Sequence, residues 1–174
     1  MDIKAVLIRE HSSAMRDKIV AYVGDDKKRF EELIFLMLTS EYRVAQRAAW
    51  PVSYCVENYP ELIKPWLQKM IKKLDEKNIH DAIKRNSLRI LQDINIPEKL
   101  CGELYNKCYK FLHDISEPIA IRVFSLSVME NISTKYPELK GEVQHNAESL
   151  LHCGIPALES RSRIVIKQLK KKRL

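Results

Sequence analysis

Apolar residues recur along this chain with two superimposed periods. The short one is three to four residues, the spacing of one face of an α-helix. The long one is a repeat of 38 residues. Ser40, Asn78, Ser116 and Gly154 stand 38 apart, and each lies between two apolar helical stretches. Ten positions after them sit Trp50, Leu88, Leu126 and Ile164, and twelve positions after them sit Val52, Ile90, Val128 and Ile166. Five after them come Ala45, Ile83, Ile121 and Glu159. A second stripe precedes each junction: Leu33, Ile71, Tyr109 and Ala147 seven positions before, and Leu36, Leu74, Leu112 and Leu150 four before. A period found at this length is the mark of stacked supersecondary units. Each unit is a first helix, a turn, a second helix and a short junction.

The turn inside the unit has its own signature. Tyr59-Pro60-Glu61-Leu62 recurs as Tyr136-Pro137-Glu138-Leu139, with Ile96-Pro97-Glu98-Lys99-Leu100 as the middle copy. Proline suits the first helical position, where an N–H would have no partner. The acid after it complements the positive end of the helix dipole. The pattern predicts helices near residues 3–10, 12–23, 26–39, 42–57, 60–76, 80–94, 97–114, 117–133, 137–152 and 156–171. Asp25 or Asp26 is the expected N-cap of the third, and Gly24 the end of the one before. The whole chain, 1–174, is read as a single all-α domain, with residues 1–25 as an N-terminal helical cap.

Helix pairs repeating at this spacing resemble HEAT repeats. The resemblance covers residues 26 to 171 and rests on the period, the apolar columns and the basic residues Arg47, Arg85, Arg122 and Arg161 near the middle of the first helices. Arg122 is shifted one place from the column of Arg47 and Arg85, which argues against an intramolecular Arg–Asp ladder. The resemblance implies a right-handed α-solenoid of about four 38-residue helix-pair repeats. It also implies an extended concave face lined by second helices. A fold of this kind brings no catalytic motif with it.

Composition sharpens this picture at a few points. Four glycines in 174 residues are too few for the turns of a β-rich fold of this size. The longest apolar run, Leu33 to Leu38, is far too short to span a membrane. The start of the chain, with Asp2 and a short apolar stretch, does not read as a secretory leader. Cys55, Cys101, Cys108 and Cys153 show no CxxC spacing and all fall within helical patterns, so buried thiols in a reducing cytoplasm are expected.

The net charge of +7 suggests nucleic acid until it is located. Residues 155–174 hold seven basic side chains against one acidic, so +6 of the +7 lies there and the body is near neutral. The basic tail Lys170, Lys171, Lys172 and Arg173 predicts weak, non-specific DNA contact that its deletion would remove. It equally complements a helix C-terminus.

Candidate chemistry is sparse. No GxSxG, HExxH or glycine-rich phosphate loop occurs. His11, His80, His113, His145 and His152 are scattered, and neither Cys108 with His113 nor His145 with His152 finds a third metal ligand. No cofactor is expected, and the balance is against an enzyme. Trp50 shares a column with leucines and reads as core. Trp66 has no such column and reads as a surface contact. With Lys64, Lys69, Lys72 and Lys73 in one second helix, and Lys99, Lys107 and Lys110 in the next, it forms the candidate partner-binding strip. Glu61, Asp75, Glu76 and Glu103 are interleaved with those lysines, as on an ordinary solvated helix face.

These features favour a non-catalytic protein-interaction or scaffold module that binds a protein or peptide segment on its concave face. The alternative is a nucleic-acid-binding protein similar in architecture to the HEAT-like DNA alkylation-repair glycosylases, although this chain is shorter than those enzymes and lacks their aromatic and acidic cleft. A third possibility is a homodimer formed through the last helix.

Overall fold

The computed structural model describes residues 1–171. Among them are ten α-helices and no strand. In order these are α1 (Ile3–Arg9), α2 (Ser13–Val23), α3 (Lys27–Thr39), α4 (Tyr42–Asn58), α5 (Leu67–Lys73), α6 (Asp81–Leu91), α7 (Glu98–His113), α8 (Ile119–Ser133), α9 (Lys140–Ser149) and α10 (Pro156–Lys171). Two 3-10 turns, Pro60–Trp66 and Pro137–Leu139, lead into α5 and α9. The chain divides into two compact units, Met1–Ile90 and the part from Leu91 onward, and the boundary falls inside α6.

Local signals start the helices where they were expected. Asp2 accepts from the Ala5 amide at 2.9 Å, and Ser12 from the Met15 amide at 3.1 Å. Asp26 caps α3, accepting from Lys28 N at 2.9 Å and Arg29 N at 3.1 Å. Those backbone bonds, that of Arg29 foremost, hold its carboxyl below the usual range. Gly24 ends α2 at φ +50°, where a side chain would be strained. The segment read as one helix from 60 to 76 is instead a 3-10 turn followed by a short α-helix. Pro65 explains the change: it has no N–H to donate and disfavours α geometry at Lys64.

In the first unit α3 packs on α4, and α1 and α2 pack on α4. In the second, α8 packs on α7, α9 and α10. The stripes predicted from the long period form most of this core. Leu33, Ile71, Ala147, Leu36, Leu74, Leu112, Ala45, Ile83, Ile121, Val52, Ile90, Val128, Leu88 and Leu126 are all buried.

Five apolar positions depart from their columns, one of them Leu150, half-buried just after α9. Ile164 is 43% exposed, because α10 turns inward Leu158, Ser162, Val165 and Leu169, a stripe one position earlier than in α8. Gly154, at φ +75°, redirects the chain so that α10 begins two residues after its junction, whereas α8 begins three after Ser116. Ile166 is correspondingly only half-buried. Tyr109 is 41% exposed, and the fully buried Cys108 takes the inward place. Trp50 is half-buried rather than core, and its ring lies under a guanidinium described below. Cys153 sits exposed in the turn before α10, not in a helix.

Two of the first-helix arginines have a role that the sequence did not show. Arg47 Nη1 donates to the carbonyls of Leu7 at 2.8 Å and Ile8 at 2.9 Å, which the last turn of α1 leaves without helical partners. Arg122, buried, donates from Nε to the Leu112 carbonyl at 2.9 Å at the end of α7.

Candidate functional site

In the first unit α3, the 3-10 turn and α5 bring Phe35, Trp66 and Lys69 together. Phe35 stands in the apolar run Leu33–Leu38 of α3, whose members face different sides of the helix at about 100° per residue. Leu33, Ile34, Leu36, Met37 and Leu38 go inward, and Phe35 is left 50% exposed. Lys69, itself exposed, places its ammonium 5.3 Å from the Phe35 ring centre and 5.5 Å from that of Trp66. Both distances lie within cation–π reach. The patch is thus two aromatic rings with a cation between them, open to solvent on one side.

The other lysines of the strip divide in two. Lys64 pairs with Glu61 at 2.7 Å, Lys73 with Glu76 at 2.6 Å and Lys107 with Glu103 at 3.2 Å. Lys72, Lys99 and Lys110 are exposed. The interleaved acids therefore engage three of the predicted cations directly. Lys64, Trp66, Lys69, Lys72 and Lys73 belong to the first unit, and Lys99, Lys107 and Lys110 to the second. On α7 of the second unit the Tyr109 and His113 rings meet at a tilt of 47° with centres 4.4 Å apart, while His113 Nε2 is 3.0 Å from Asn146 Oδ1. Lys170 and Lys171 close α10 and are exposed, whereas Lys172 and Arg173 lie outside the described residues.

A second cluster in the first unit joins residues far apart in sequence. The Arg16 guanidinium lies 4.6 Å from the Trp50 ring centre and 4.2 Å from that of Tyr54. Arg89 lies 5.0 Å from the other ring of this set, Tyr54, and pairs with Glu57 at 3.2 Å. Arg16 pairs with Asp17 at 2.6 Å, and His11 meets the Trp50 ring edge-on. Both arginines are already engaged by rings and carboxylates, and the cavity beside Trp50 holds only about 10 Å³. This cluster ties α2, α4 and α6 together and leaves little room for a ligand.

The thiols are placed for packing. Burial pushes Cys55 up to about 12 and raises Cys108 likewise, so neither is a thiolate at neutral pH. Cys101 points its sulfur at the carbonyls of Ile96 and Pro97. Among the described residues no group of three or more His, Cys, Asp or Glu side chains is placed to hold a metal ion. Among them, too, no helix is long and apolar enough to cross a membrane.

The sequence pattern of the HEAT repeat domain family matches residues 3–169. The chain is a HEAT repeat protein. The match takes in α1 and α2, beyond the resemblance read from residue 26. No curated protein and no solved structure matches the chain. In a HEAT repeat the inward stripes make the fold, and specificity rests on what the outward faces of the helices present. On this HEAT repeat protein those faces present Phe35, Trp66 and Lys69 on one unit and Tyr109 with Lys110 on the other.

Proposed function

We propose that the chain is a non-catalytic interaction module that binds a segment of another protein through the outward face of α3 and α5. The observation that carries the reading is the Phe35–Lys69–Trp66 patch. Interface cores are enriched in aromatic side chains, and a ring left half exposed beside a cation matches an apolar, acid-bearing partner. Phe35 keeps half of its surface in solvent, more than packing alone requires of an aromatic ring. The ion pairs at Lys64, Lys73 and Lys107 weigh against a DNA-binding strip, since each carboxylate would have to be displaced or repel phosphate.

The test is capture of partners from the source cells with nuclease present, using the full chain and a Phe35→Ala/Lys69→Glu variant. Lys69 is exposed and Phe35 half exposed, so the variant should stay folded, with its circular dichroism spectrum as the check. A protein retained by the parent chain and lost by the variant is expected. Capture that disappears with nuclease, or that is equal for both chains, refutes the reading. A parallel salt titration with duplex DNA separates the nucleic-acid reading, which requires tight binding that survives at physiological salt. Sedimentation of the free chain reports whether the partner is a second copy.

A further inference from the structure

α10 presents a surface that the interaction patch does not use. Arg163, Ile166, Lys167, Lys170 and Lys171 recur at three- and four-residue spacing, and with Leu151 from the turn after α9 they line an open groove of about 500 Å³. This is the side of α10 turned away from its buried stripe of Leu158, Ser162, Val165 and Leu169. Leu151 and Ile166 are half-buried and form an apolar floor, while Lys167, Lys170 and Lys171 are exposed along the edge. Glu159, one turn earlier, is already engaged: it accepts from the Gly154 amide at 3.0 Å and pairs with Arg163 at 3.1 Å. The groove thus combines an apolar floor with a cationic rim, in the segment that carries most of the net charge of the protein.

We propose that this groove binds an acidic protein segment through an apolar side chain seated on Leu151 and Ile166, with flanking carboxylates meeting Lys167, Lys170 and Lys171. The inference rests on the interaction-module reading and assigns it a second surface of stated chemistry. Charge complementarity selects an acidic occupant. The floor then selects among acidic ligands. DNA phosphates would satisfy the lysines but bring no apolar group to Leu151 and Ile166. An anionic bilayer offers a flat headgroup plane to a recessed floor. A peptide with carboxylates around a leucine offers both.

The experiment uses the full chain and fluorescence anisotropy. The probes are a short labelled peptide of glutamates around two leucines, the same peptide with serines for the leucines, a short labelled DNA duplex, and phosphatidylserine vesicles. The leucine peptide should bind about tenfold more tightly than the serine peptide, the factor expected for about 1.4 kcal/mol of apolar contact. Ile166→Ala should remove most of that preference. The triple reversal Lys167→Glu/Lys170→Glu/Lys171→Glu should abolish binding without lowering the thermal midpoint. Equal binding of the two peptides, or binding of the duplex or vesicles in preference to the leucine peptide, overturns the proposal. If the groove fails while nuclease-resistant capture through Phe35 persists, only this surface is refuted. If both fail, the module reading falls with it.

Discussion

Leu126 and Ile164 occupy equivalent positions in the 38-residue period, yet the fold treats them differently. Leu126 is 0% exposed on α8, which packs against both α7 and α10. Replacing it with alanine removes three carbons, about 2.4 kcal/mol of transfer free energy at about 0.8 per methylene. Helices on both sides restrict collapse into the space, so a cavity term of about 1–2 kcal/mol adds to it, for a total of about 3–4. Ile164 is 43% exposed. Ile164→Ala forfeits about half of the same transfer term, opens no enclosed cavity and gains a few tenths of a kcal/mol in helix propensity, so it should cost about 1 kcal/mol or less. Both residues lie in the second unit, so the same unfolding transition reports both. Urea unfolding followed by circular dichroism at constant m-value measures the difference. A loss below about 1 kcal/mol for Leu126→Ala, or a loss for Ile164→Ala equal to it, would mean that α10 and α8 share one register and that the shift at Gly154 is wrong.

Ser87 is fully buried and its hydroxyl has no hydrogen-bond partner, so Ser87→Ala should stabilise the fold by about 1 kcal/mol, and a loss of stability in urea would reveal a missed partner. Arg47→Met removes the two bonds to the end of α1, and native-state hydrogen exchange should quicken in Ile3–Arg9 before it does in α4; uniform quickening would show that the bonds are not local to α1. Cys55 and Cys108 are favoured in the protonated form by burial, so their contribution is whole below the ordinary thiol value of 9.0 and is lost as pH rises above it. Stability should therefore fall by about 1.4 kcal/mol per pH unit per thiol above that point, and Cys55→Ala should remove that fall from the unfolding of the first unit; a urea midpoint that stays level to pH 10 contradicts this. Of the four cysteines only Cys153 is exposed, so one thiol should react quickly with a disulfide reagent and the rest only on unfolding; a second fast thiol would contradict the burial.

Helix positions were legible in the sequence because burial imposes the same three-and-four spacing in every repeat. The columns failed where the start of a helix depends on backbone geometry. Glycine at 154 allows the positive φ found there, but the letters do not say that α10 begins one residue sooner after its junction than α8 does. Trp66 was legible as lying outside the core because no apolar column contains it, and it is half-buried beside Lys69. Phe35 was not, since a run of six apolar residues does not show which member the surrounding helices leave uncovered. Tyr109 was masked for the opposite reason: its column is apolar elsewhere, and Cys108 beside it is small enough to be buried in its stead. The Arg16–Trp50–Tyr54–Arg89 cluster leaves no local trace, because its members come from three helices.

The long period also accounts for polar bonds that no apolar column shows. Arg47 reaches Leu7 and Ile8 across 40 and 39 residues, Asn131 reaches Leu91 and Ile94 across 40 and 37, and Lys135 reaches Ile96 across 39. The Tyr105 hydroxyl reaches Glu142 across 37. Each separation is close to one repeat, and in all but the last the acceptor is a backbone carbonyl in or just after the end of a helix. The reason is general: a helix leaves its last carbonyls unpaired, and burying them without donors costs about 1–3 kcal/mol each. A side chain one repeat away can supply that donor, and Arg122 supplies it to Leu112 from only ten residues away. Polar residues used in this way are withdrawn from surface chemistry. Lys69, Lys167, Lys170 and Lys171 make no such bond and stay exposed, which is why partner recognition is assigned to them and not to Arg47 or Arg122.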